Sequence, residues 1–177
     1  MKYRIGAVGE SGADGGADGA VAAATRLADA HINPVTGLAT DYLNHFNEAI
    51  MLLDMVAASP ECRDDLRAWR PIDYRGHFQQ SGFKARDLAI AAYDTADPVA
   101  RDMLEALAGT MTTIIEHTRT RLDGETDTAH AAVIVECATA WLRLLIAQAG
   151  AVINNQRLAV SDGPPQDAID RAMKVAG

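Results

Sequence analysis

Between Asp127 and Asn154 the chain carries charge at only two side chains, Glu136 and Arg143. Apolar residues occupy most of the remaining positions, and at about 100° per residue they fall on nearly every side of a helical wheel. A helix this apolar needs neighbours around most of its circumference. Residues 128–153 are therefore predicted to form the central helix of an all-α, single-domain bundle of about four long helices plus short ones. The same wheel puts His130 and Gln148 inside the apolar arc, beside Cys137 and Trp141. Polar groups in such a place need hydrogen-bond partners, so His130, Cys137, Trp141 and Gln148 form a candidate ligand pocket. Cys137 is expected to be buried and inert as a thiol.

Composition agrees with helix packing. The chain has 177 residues, 49% of them hydrophobic but only 5% aromatic, so Ala, Leu, Ile, Val and Met carry the apolar share. Its formal charge is −8. A phosphate-tracking surface or an anionic membrane needs clustered Lys and Arg, so neither nucleic acid nor membrane is an expected partner. Cys62 and Cys137 have no CxxC spacing and no histidine at zinc spacing, which suits a reducing cytoplasm. The first twenty residues lack the apolar core of an export signal, and no long uncharged run suggests a membrane span.

Punctuation along the chain marks successive helices. Six of the 14 glycines lie between Gly6 and Gly19, so residues 1–18 are expected to be a flexible arm before a helical domain over 19–177. Asp18 can cap a short Ala-rich helix that ends at Asn33-Pro34. A second helix is predicted over residues 37–57, and Ser59-Pro60-Glu61 opens a short third that stops at Arg70-Pro71. Asp73 can cap a fourth, reaching about Ala92 with an interruption at Ser81-Gly82. Asp97-Pro98 opens the fifth, and Asp123-Gly124 ends it. Thr126 or Asp127 opens the sixth, which runs to Asn154-Asn155. A last amphipathic segment carries Ile169, Ala172 and Met173, and strand patterns are confined to residues 3–8 and 158–160.

Outside the sixth helix, four features bear on chemistry or contact. Asp41, His45 and Glu48 follow i, i+4, i+7 spacing, so on one helix they share a flank that could hold a metal ion or pass a proton; His45 alone reaches the apolar margin. His117 sits at the edge of the fifth helix's stripe near Arg119, the setting a phosphorylated imidazole would need. Phe83 and Ile90 form a second apolar line opposite the main stripe of the fourth helix, the mark of a subunit contact. The arginines at 63, 67, 70 and 75 interleave with Asp64, Asp65 and Asp73, which points to a salt-bridged surface.

No sequence motif names an activity or a cofactor. The leading expectation is a non-enzymatic cytoplasmic bundle acting through protein–protein interaction and self-association, a homodimer through Phe83 and Ile90 with a further protein partner. The alternative is a small-ligand or metal-binding bundle, with or without catalysis, using His130 and Gln148 or the Asp41, His45, Glu48 edge. A third is histidine phosphotransfer through His117 or His45.

Overall fold

A computed structural model describes residues 14–156, and within them every named element is helical. The helices are α1 (Asp14–Asp29), α2 (Asn44–Ala58), α3 (Arg63–Ala68), α4 (Tyr74–Gln80), α5 (Arg86–Asp94), α6 (Pro98–Asp123) and α7 (Thr128–Ile153). Short 3-10 turns at Thr40–Leu43 and Pro60–Cys62 lead into α2 and α3. The predicted strands and the Ile169 segment lie outside the described residues, as does the arm as far as residue 13. From Asp14 the expected arm is already helical, four residues ahead of the predicted cap.

Helix ends follow the capping residues. The Asp73 carboxylate accepts from Gly76 N at 2.7 Å. Asp97 accepts from Ala100 N at 2.8 Å with Pro98 opening the helix, and Asp127 accepts from Ala129 N at 2.9 Å. Each supplies an acceptor to one of the backbone N–H groups that a first turn leaves free.

The core lies where α2, α6 and α7 meet. Fully buried side chains there include Phe46 and Leu53 of α2, Leu104, Met111 and Ile115 of α6, and Leu142 of α7. α7 packs along α6 and α2 and leaves its opposite side in solvent, so it is not the surrounded central helix that its composition predicts. The described part of α1 stands mostly exposed, with Leu27 packing partly against the core.

A compact turn ties these helices together. Asn33 Oδ1 accepts from Val35 N and Thr36 N, and Gly37 takes a left-handed backbone at φ +73°. Buried Thr36 donates its hydroxyl to the Ile153 carbonyl at the end of α7, at 2.6 Å. Asp97 N donates to the Thr36 carbonyl. The start of α2, the α5–α6 junction and the end of α7 therefore meet at residues 33–39. Because Gly37 needs this turn, the predicted second helix begins later than expected, as the 3-10 turn and then α2.

Candidate functional site

His130, Cys137, Trp141 and Gln148 do share one line of α7, at the helical spacing expected of them, but that line faces solvent rather than a pocket. Trp141 is 63% exposed, Cys137 is exposed, and the His130 imidazole binds Glu125 across the preceding turn at 2.5 Å. The wheel placed these residues in an apolar arc correctly. α7 has two such arcs, and α2 and α6 cover the one centred on Leu142 and Ala138. Cys137 is accordingly no buried thiol, and His130 and Gln148 need no internal partner.

The exposed arc is itself the notable feature of the molecule. Val133 and Leu144 are 56% and 58% exposed, and with Cys137, Ala140 and Trp141 they make an uncharged stripe. From residue 133 to residue 148 it runs about 22 Å along the helix. Arg143 on its border reaches across to Asp54 of α2 at 2.9 Å, beside the exposed Met51 and Met55. By length and composition α7 is also long and apolar enough to cross a bilayer, although Glu136 and Arg143 interrupt it, so that it holds no long uncharged run.

Asp41, His45 and Glu48 do not converge. Asp41 belongs to the 3-10 turn, not to α2, so the 100° spacing does not carry across to His45. It accepts from Asn44 Nδ2 at 3.0 Å and pairs with His77 Nε2 at 3.1 Å instead. Among the described residues, no three His, Cys, Asp or Glu side chains come together as metal ligands. His45 is not at a margin but buried at 6% exposure, stacked on the Trp69 indole with ring centroids 4.7 Å apart. Its Nε2 has no hydrogen-bond partner. This burial closes it to a phosphoryl donor, whereas His117 is exposed on α6.

Burial also pushes the His45 imidazole below its ordinary value, with His77 acting in the same direction; Glu48, 3.8 Å away, and the Arg70 backbone oppose it. The unfolded chain therefore binds this proton more readily than the folded one. Stability is expected to fall as pH drops below about 6.5, the unfolded value, and to level off once pH is below the folded value. Urea titrations of the parent and His45→Phe between pH 7.5 and 5 isolate the effect: the parent should lose its advantage over the variant as pH falls, and a constant difference would refute it.

Phe83 and Ile90 are not a free apolar line. The chain leaves helix between Gln80 and Arg86, so Phe83 sits in the connecting segment and packs edge-on against buried Phe78, with centroids 5.1 Å apart. Ile90 of α5 is likewise partly buried against the core. The basic series does form a salt-bridged surface, Arg67 with Asp64 and Asp123, and Arg75 with Asp94.

A cleft of about 430 Å³ opens between α6 and the segment before α4, lined by Tyr42, Tyr74, Tyr93 and Glu105. Its tyrosine hydroxyls are engaged. Tyr42 donates to the Ile72 carbonyl at 3.1 Å, Tyr74 accepts from Ala39 N at 2.9 Å, and Tyr93 donates to Glu105. Burial, with Asp73 and Glu105 nearby, pushes the Tyr42 phenol up to about 12, so it stays protonated and acts as a donor rather than a base.

No protein-family model, curated protein or solved structure matches the chain.

Proposed function

We propose that the protein is a non-enzymatic cytoplasmic helical bundle that works by association, docking the exposed face of α7 on protein surfaces, another copy of itself included. What supports this reading is the stripe of Val133, Cys137, Ala140, Trp141 and Leu144, which leaves a large indole 63% exposed in the middle of an uncharged strip. Trp is the side chain most often found at the energetic centre of protein interfaces. The dimer contact proposed from sequence at Phe83 and Ile90 thus moves to α7.

Light scattering on the full chain across a concentration series tests this. The parent should show twice the monomer mass, and Trp141→Glu or Leu144→Glu should weaken pairing by about a hundredfold while helical circular dichroism stays unchanged, because neither residue supports the core. Phe83→Glu and Ile90→Glu should instead lower thermal stability, since both pack against the core. A parent and Trp141→Glu variant of equal mass at every concentration would refute the self-association.

A further inference from the structure

We infer that two copies pair through α7 in antiparallel fashion, about a two-fold axis passing between residues 140 and 141, with Glu136 of each copy facing Arg143 of the other. The inference rests on the reading of α7 as an association face and specifies its partner and register. In an isologous contact, residue i of one copy meets residue j of the other, and the reverse. Centred between 140 and 141, the stripe is complementary to itself. Ala140 lies opposite Trp141, Cys137 opposite Leu144, and Val133 opposite Gln148. Small side chains thereby face large ones along the seam, as close packing requires. A parallel pair would set Trp141 against Trp141 and Leu144 against Leu144, at the same heights.

The charges agree with this register. Glu136 and Arg143 are both exposed and lie two turns apart on the same border of the stripe. A two-fold axis perpendicular to antiparallel helices brings like border to like border. Each Glu136 then comes within two residues, roughly 3 Å along the axis, of the height of Arg143 in the other copy, an offset that the two long side chains span. Glu136 forms no ion pair within the chain among the described residues. Arg143 gives one guanidinium nitrogen to Asp54 and keeps further donors for a second carboxylate. A bilayer fits less well, because it would have to take up both charges midway along the helix.

The test compares Glu136→Arg and Arg143→Glu, each in an Asp54→Asn background so that the introduced carboxylate does not face Asp54, with circular dichroism confirming the fold. Each variant alone should pair at least about tenfold more weakly than the Asp54→Asn parent, because like charges meet at both ends of the seam. Mixed, the two should form a heterodimer near parental affinity, since both contacts become Arg opposite Glu. Variants that pair as tightly alone as the parent, or a mixture that forms no heterodimer, would overturn the register while leaving association through α7 standing. A parent that stays monomeric would overturn both. So would a monomeric parent that sediments with vesicles of phosphatidylcholine and phosphatidylglycerol, which would assign the stripe to lipid.

Discussion

Gly37→Ala is expected to destabilise the protein by about 2–4 kcal/mol, a large part of the 5–15 kcal/mol that holds a typical domain folded. Two effects combine. Gly37 has φ +73°, where an L side chain costs about 1–2 kcal/mol. A Cβ there would also lie 2.9 Å from the Ala92 carbonyl oxygen and 3.1 Å from Ala96 Cα, both backbone atoms that cannot swing aside. The turn would have to open, loosening the Thr36 hydroxyl from Ile153 and the Asp97 amide from Thr36. Thermal unfolding should shift down by roughly 5–15 °C for a chain of this size. Gly109→Ala should do the opposite. Gly109 sits inside α6 with open space where a Cβ would go, so alanine should add about 0.5–1 kcal/mol. Equal effects of the two substitutions would show that the turn does not constrain the fold as described.

Phe78→Ala should cost about 3–5 kcal/mol. The ring is wholly buried, with the rings of Tyr74, His77 and Phe83 at 4.8, 5.0 and 5.1 Å. Its helix, α4, has only seven residues, too few to persist without tertiary packing. The loss should therefore appear first as local opening. Amides of α4 should exchange faster than those of α6 in Phe78→Ala, and the Asp41–His77 pair should come apart with them. Uniform loss of protection across α4 and α6 would contradict a local role for this aromatic cluster. Phe78→Leu, which refills most of the space, should recover more than half of the stability.

How far these features can be read without coordinates depends on the range of the interactions behind them. Asp97-Pro98, Asp123-Gly124 and Asp127 bound α6 and α7 to within about a residue, because a cap is a bond between neighbours in sequence. Ser81-Gly82 likewise marks the break between α4 and α5. Spacing rules failed where that local regularity was assumed and did not hold. Asp41 lies in a 3-10 turn, so its distance from His45 is not that of i, i+4 in a helix. Phe83 lies beyond the end of α4, so no wheel containing Ile90 applies to it. His45 is buried by Trp69, a neighbour 24 residues away that no local pattern reveals.

α7 shows the division most clearly. Its length, its caps and the shared line of His130, Cys137, Trp141 and Gln148 follow from the sequence by itself, through helical periodicity alone. Which of its two apolar arcs turns inward does not, because hydrophobic burial is non-directional and both arcs would gain from it. The packing of α2 and α6 decided that: it enclosed Leu142 and left Trp141 in solvent, turning an expected pocket into an open face.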